Sequence, residues 1–302
     1  MLTRREALAA TALAALFVAA SARAQDRLNV IASFSILGDF VKNVGGDRVE
    51  VATLVGPNGN AHVYAPSPGD AKKVADAKLV FVNGLGFEGW LERLVKASGT
   101  KAPIVVATKG IKPLERAGEH GHDQDHGRAD PHAWQSVANA KIYVANIRDA
   151  LIAADPAGKD AYLANAAAYL AKLDALERDV REVVAKIPAD RRRVITSHSA
   201  FGYFQDAYGV SFTAPQGVST EAEASAKDVA AIIAQVRKQK VAAVFLENVT
   251  DPRLVEQIAR ETGAKVGGTL YSDALTDDKG DATTYIDLIR HNLRQLASAL
   301  VS

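Results

Sequence analysis

The chain contains no cysteine in 302 residues, one methionine and two tryptophans. Without cysteine there can be no disulfide, so the packed core must carry stability alone. There is also no thiolate to hold a metal and no thiol to carry a lipid; any metal site must use imidazole and carboxylate. An excess of charge of one sign is missing too: 36 Lys and Arg stand against 35 Asp and Glu, for a net charge of +1. That balance leaves no electrostatic footprint for nucleic acid or an anionic membrane. Beyond residue 25 no apolar run is long enough to span a bilayer, which needs about 20 residues. What remains is ordinary for a globular protein, 48% apolar and 24% charged, in a length that accommodates two domains.

The one long apolar run stands at the start. Thr3-Arg4-Arg5-Glu6 precedes an uncharged stretch, Ala7 to Ala22, which closes on the small-x-small sequence Ala22-Arg23-Ala24. This is the form of an export signal, residues 1–24, cleaved near Ala24 to leave a chain starting at Gln25 and bound for the periplasm. The Arg4-Arg5 pair resembles a twin-arginine signal. Ala7 and Ala9 stand where an aromatic and a lysine are usual, so the general secretory route is equally open. Loss of Arg4, Arg5, Arg23 and Glu6 takes the net charge of +1 to −1.

From Gln25 short apolar runs alternate with helical patterns. Strands are expected at Leu28–Ala32, Val49–Val55, Leu79–Asn83 and Ile104–Ala107, with helices at Ile36–Val44, Ala71–Ala77 and Phe87–Ala97 between them. Such alternation specifies an α/β fold with a mostly parallel sheet. After Pro131 comes a helix over Val137–Ala154, then a very long helical stretch from Lys159 to Lys186, stopped by Pro188. Tyr162, Ala166, Tyr169, Leu173, Leu176, Val180 and Val183 form one apolar stripe along it. At about 1.5 Å per residue it reaches across two lobes. The alternation then restarts: strands Arg193–Thr196, Val210–Thr213, Val241–Leu246 and Ala264–Leu270, helices Ala200–Tyr208, Ala226–Lys240, Leu254–Thr262 and Thr284–Val301. The expected architecture is two α/β lobes, residues 25–157 and 189–302, joined by a helical spine over 158–188.

Four side chains able to bind metal fall at equivalent places. His62 ends the turn-rich Gly56-Pro57-Asn58-Gly59-Asn60-Ala61 segment after a strand, and His132 stands in Asp130-Pro131-His132-Ala133-Trp134 before a helix. His198 and Asp273 each follow a strand of the second lobe directly. In open α/β sheets ligands bind beyond the carboxyl ends of the strands, so two donors from each lobe would meet in the cleft between them. Taken singly, each histidine reads as readily as a loop or core residue, and Asp273 as a turn or cap. Glu247, at a strand end, could orient a ligand histidine from behind or simply cap. His120, His122 and His126 crowd a Gly/Asp-rich segment, 119–127, without apolar periodicity; it reads as a loop that scavenges metal weakly, or as a solvated polar loop. His291 is expected on the surface of the last helix.

These segments carry a resemblance. The His62 loop with Tyr64-Ala65-Pro66-Ser67-Pro68, the Asp130–Trp134 segment, Ser197-His198-Ser199-Ala200-Phe201-Gly202-Tyr203 and Leu270-Tyr271-Ser272-Asp273-Ala274-Leu275 resemble the metal-specific substrate-binding proteins of ABC importers, which serve zinc and manganese. The resemblance covers essentially the whole mature chain, and the His-rich segment is typical of zinc members. It implies two lobes on one long rigid helix, a membrane permease as partner with a periplasmic zinc chaperone as a further one, and ligands at His62, His132, His198 and Asp273; the sequence itself shows no sign of an oligomer interface, so a monomer is expected. Manganese members typically place Glu where His198 stands. Three imidazoles and one carboxylate suit four-coordinate Zn(II), whereas Mn(II) prefers more oxygen. Many zinc members carry a disulfide; this chain cannot.

The alternatives are a manganese or iron importer component of the same fold, an adhesin or docking protein, and a zinc hydrolase. Catalytic zinc keeps a position open for water, and the chain has no His-Glu-x-x-His helix and no Gly-x-Ser-x-Gly elbow. No enzyme activity is expected. The Asp273 segment, continuing into the polar stretch Thr276–Asp281, is expected to be the mobile ligand.

Overall fold

A computed structural model of the protein describes residues 27–115, 129–239 and 241–301. The export signal and the His120, His122 and His126 cluster lie outside the described residues. The first lobe runs β1 (Leu28–Phe34), α1 (Ser35–Gly45), β2 (Val49–Val55), α2 (Pro68–Asp76), β3 (Leu79–Val82), α3 (Leu91–Ser98), β4 (Ile104–Val106) and α4 (Val137–Ala154). Then comes α5 (Lys159–Ala185). The second lobe runs β5 (Arg193–Ile195), α6 (Gly202–Tyr208), β6 (Ser211–Thr213), α7 (Ala226–Gln239), β7 (Ala243–Glu247), α8 (Arg253–Thr262), β8 (Lys265–Leu270) and α9 (Tyr285–Leu300).

Each lobe holds a four-stranded sheet, ordered β2-β1-β3-β4 and β6-β5-β7-β8, with every pairing parallel. Parallel neighbours need crossover helices, which cover both faces and explain the near-continuous apolar runs of β1 and β3. The order reverses direction at β1/β3 in one sheet and at β5/β7 in the other. Those two switch points are where chain leaving neighbouring strands diverges and opens a crevice.

The spine α5 buries Tyr162, Ala166, Tyr169, Leu173, Leu176, Val180 and, in place of the expected Val183, Val184. Val183 is half-buried against the same core, so the stripe drifts by one position at its end as a 3.6-residue period requires. The helix packs on α1 and α4 of the first lobe and on α6 and α9 of the second. One continuous apolar core therefore runs through both lobes, and a separate cluster (Ile195, Ile232, Val236, Val244, Val255, Ile258) seats α7 and α8 on the outer face of the second sheet.

Two helix starts differ from expectation by three residues or more, each for a legible reason. Helix α2 begins three residues early because Ser67 and Asp70 form a reciprocal capping box with Pro68 in the first turn, a signal present in Pro66-Ser67-Pro68. Helix α3 begins at Leu91 rather than Phe87. Gly84, Leu85 and Gly86 all take positive φ, and the Glu88 carboxylate turns back to accept from Asn83 N at 2.7 Å, Gly84 N at 3.2 Å and Ser33 Oγ at 2.6 Å. That buried carboxylate holds the strained turn, and the turn aims the Phe87 ring at the crevice. His291 is buried, not on the surface: its Nε2 lies 3.0 Å from Thr269 O and its ring packs on Tyr271.

Candidate metal centre

His62 follows β2, His132 precedes α4, His198 lies three residues past the end of β5, and Asp273 three past the end of β8. Their ligating atoms all lie within 4.8 Å of one another, a grouping without parallel among the described residues. His62 Nε2 is 3.2 Å from His132 Nε2 and 3.3 Å from Asp273 Oδ2; His198 Nε2 is 3.1 Å from Asp273 Oδ2, and His132 Nε2 is 3.5 Å from Asp273 Oδ1. Both Asp273 oxygens are buried without a well-aligned hydrogen bond, as is His198 Nε2. Buried polar atoms left this way cost free energy unless something else binds them. A cation in the middle would satisfy all of them at once.

The walls are apolar. Phe34, Phe87 and Trp134 contact one another with centroids 4.9 Å apart. Phe87 sets its edge to the His62 ring at 4.8 Å, and Trp134 meets the His132 ring at 5.3 Å. Such a wall excludes water and strengthens every charge interaction inside it.

Behind two of the rings stands a carboxylate. His132 Nδ1 is 2.8 Å from Asp130 Oδ1, which also accepts the His132 backbone N–H at 2.9 Å. The Asp130-Pro131-His132 sequence makes this contact local. Gly202, at the start of α6, keeps room for it, because a Cβ there would sit 2.3 Å from Asp130 Oδ2. His198 Nδ1 is 2.7 Å from Glu247 Oε2, at a bent angle, while Glu247 Oε1 accepts the Ser197 and His198 backbone N–H groups at 2.7 and 2.9 Å. A carboxylate on Nδ1 leaves Nε2 as the free lone pair, the tautomer that faces the centre.

The charges are arranged to match. Burial resists ionisation of Asp273, yet the surrounding histidines outweigh it and hold its carboxyl well below the usual range. Burial likewise opposes a charge on His198, but the Glu247 and Asp273 carboxylates win and raise it well above the usual value. His62 goes the other way: burial lowers it, despite the attraction of Asp273. The centre is thus an anionic pocket of nitrogen lone pairs in which a proton is held in the absence of a stronger cation.

The structure brings together the four candidate donors that sequence reasoning named and sets Glu247 behind His198. Sequence reasoning did not find Asp130, although a carboxylate two residues before a candidate ligand is a local signal. Nor did it find Trp134 and Gln135, whose Nε1 and Nε2 donate to Ser272 O at 2.9 and 2.8 Å and tie the Asp273 loop to the first lobe.

The chain matches the family described as zinc-uptake complex component A, periplasmic (ZnuA), over residues 30–299. It is 36% identical over 272 residues to the iron-binding protein YfeA of Yersinia pestis, covering 90% of this chain and 86% of that one. Among solved structures it resembles the Mn-bound periplasmic metal-binding protein of Candidatus Liberibacter asiaticus (TM-score 0.78, 32% identity, 90% of this chain and 98% of that one). It also resembles the periplasmic zinc-binding protein TroA of Treponema pallidum (TM-score 0.85, 29% identity, 91% and 100%). The family is one of transport components, not enzymes, and the names of these relatives span three metals on one fold. The chain belongs to this family, the periplasmic metal-binding substrate-binding proteins of ABC transporters.

Proposed function

We propose that the protein captures Zn(II) through His62, His132, His198 and Asp273 and delivers it to the membrane permease of an ABC importer. The observation that carries the choice of metal is the third corner: an imidazole, His198, rather than a carboxylate. A tetrahedral Zn(II) with bonds of about 2.0–2.1 Å has ligand–ligand edges of about 3.3 Å; the His62–His132 edge and the three edges to Asp273 run from 3.1 to 3.5 Å, and all the ligating atoms lie within 4.8 Å. That spacing also admits a larger coordination shell, so donor chemistry decides: three borderline imidazoles to one carboxylate favour zinc over manganese. The burial of all four donors supports a closed shell, with no position kept for a reacting water.

A second reading, manganese or iron as cargo, has one observation in its favour. Asp273 turns Oδ2 toward His62 and His198 and Oδ1 toward His132, so both oxygens could bind and raise the oxygen count. The protein acts as a monomer, exported to the periplasm, with the His120, His122 and His126 segment as an auxiliary zinc collector and a zinc chaperone as an optional donor.

Competitive titration of the metal-stripped protein with Zn(II) and Mn(II) tests this. Zinc is expected to bind at least 100-fold more tightly than manganese, and His198→Glu to narrow that ratio tenfold or more. A wild-type preference for manganese would reject zinc as the cargo. Deleting residues 119–127 is expected to leave the tight site in place.

A further inference from the structure

The three imidazoles are not held alike. His132 and His198 each have a carboxylate at Nδ1. His62 has none: among the described residues no group bonds its Nδ1. It also differs in access. His132, His198 and Asp273 are fully buried, while His62 retains 5% exposure. It lines a cavity of about 530 Å3 open to solvent, together with Tyr64, Trp90, Glu92 and Arg93 of the first lobe and Glu221 of the second. Of the four donors only His62 lines that cavity.

The other route out is blocked. The Asp273 loop, which the sequence marked as the mobile element, is bound on every side. Trp134 and Gln135 donate to Ser272 O, Asn248 Nδ2 donates to Ala274 O at 3.1 Å, Leu275 N donates to Ser35 Oγ at 3.0 Å, and Asn58 N donates to Leu275 O at 2.7 Å. Swinging Asp273 away breaks several buried bonds together and leaves their donors and acceptors desolvated and unpaired. Turning the His62 ring breaks none of them. Its backbone is equally fixed: His62 N donates to Asn60 Oδ1 at 3.0 Å, Trp90 Nε1 donates to Ala61 O at 2.7 Å, and Asn60 Nδ2 reaches Thr220 Oγ1 and Val249 O. What can turn is the side chain, whose ring meets Phe87 edge-on at 4.8 Å and the His132 and His198 rings at 5.3 and 5.7 Å, and whose Nε2 lies against His132 Nε2 and Asp273 Oδ2.

We infer that His62 is the exchange ligand: the metal ion enters and leaves through this cavity by rotation of the His62 imidazole, while His132, His198 and the Asp273 loop stay in place. The cavity lining carries two carboxylates, Glu92 from the first lobe and Glu221 from the second, against one guanidinium, Arg93, and neither carboxylate is in an ion pair among the described residues. A side-chain rotation needs no movement of the lobes, in keeping with a core that runs unbroken through both.

This inference rests on the four-donor site proposed above, and kinetics separates the two. Two variants fill the cavity without touching a donor: Glu221→Trp and Val63→Trp, the latter at a valine that is exposed at the cavity wall. Stopped-flow association of Zn(II) and its transfer to excess fluorescent chelator give the two rates, equilibrium competition gives the affinity, and circular dichroism melts report folding. If the cavity is the path, at least one folded variant slows both rates tenfold or more while its affinity stays within threefold of wild type. If both folded variants exchange zinc at the wild-type rates, the inference is overturned, and Gln135→Leu, which loosens the Asp273 loop, should then accelerate release. Failure of the wild-type protein to bind zinc tightly would instead reject the site itself.

Discussion

His132 and His198 stand on opposite lobes and are supported in the same manner, each with a carboxylate on Nδ1 that also accepts its own backbone N–H. His62 has no carboxylate behind its ring; its backbone N–H is held by the Asn60 side-chain amide instead. The difference separates two tasks within one set of donors. A ring fixed from behind presents its lone pair without paying rotational entropy at each binding event, so the two supported rings and Asp273 form a preorganised three-point socket. The unsupported ring completes the shell and is free to leave it. The two supports also differ from each other. Asp130 is two residues from its histidine, whereas Glu247 is on another strand, 49 residues from His198, and its contact is the more bent.

The largest test of the comparison is removal of a supported ring. His198→Ala is expected to weaken zinc binding by more than 100-fold and to destabilise the metal-free protein, because Glu247 is left buried without its partner, at a cost of about 3–5 kcal/mol. His62→Ala should be milder in stability, having no carboxylate to strand. Competitive titration and thermal melts of the two variants measure both differences; equal destabilisation would break the distinction.

Removing the supports comes next. Glu247→Gln and Asp130→Asn are each expected to lower zinc affinity by about 10–100-fold, and the Glu247 variant should lose its affinity with a flatter pH dependence, since less charge then holds a proton on His198. If neither moves the affinity threefold, the carboxylates do not position the rings.

The pH dependence sharpens the contrast. Zinc must displace the proton that the Glu247 and Asp273 carboxylates hold on His198 against the opposing effect of burial. Affinity should therefore keep rising with pH above the ordinary histidine range of about 6.5. Stability of the metal-free protein should do the reverse there. The folded state binds that proton more tightly than the unfolded chain, so the contribution is complete below the ordinary histidine value and is lost as pH climbs through the raised one. His62, lowered by burial, works with the opposite sign: the unfolded chain holds its proton more tightly, so its contribution grows as pH rises through the ordinary histidine value and is flat above it. Dissociation constants and apo melting temperatures from pH 6 to 9 check both signs.

The smallest expected effect comes from Gly202→Ala. The new Cβ crowds Asp130, costing about 1–3 kcal/mol and loosening the His132 ring with a several-fold loss of affinity. Asp130→Asn should absorb part of that loss in the double variant, which a mutant cycle would show.

Much of the fold was legible because it follows local rules. Alternating apolar strands and amphipathic helices gave both sheets, and the Tyr162–Val180 stripe with Pro188 behind it gave the spine. Misplaced boundaries came where side chains act on the backbone: the Ser67/Asp70 capping box advanced α2, and the Glu88 carboxylate, holding Gly84–Gly86 at positive φ, delayed α3. His291 was misread because its surroundings in sequence are polar, while its partners, Thr269 and Tyr271, come from β8 and the turn beyond it.

What the sequence determined by itself is the donor inventory. With no thiol, only imidazole and carboxylate remained, and four of them stood at strand ends or before a helix in segments characteristic of one family. What only the tertiary structure decided is how those donors differ. Which ring is backed by a carboxylate, which one meets solvent, and whether the Asp273 loop can move depend on contacts between residues far apart in the chain: Glu247 with His198, Trp134 with Ser272, Ser35 with Leu275. Residue type and spacing can place a histidine at the end of a strand. The freedom of its ring is set by the packing and hydrogen bonds of everything folded around it, and those exist only once both lobes have closed on the same core.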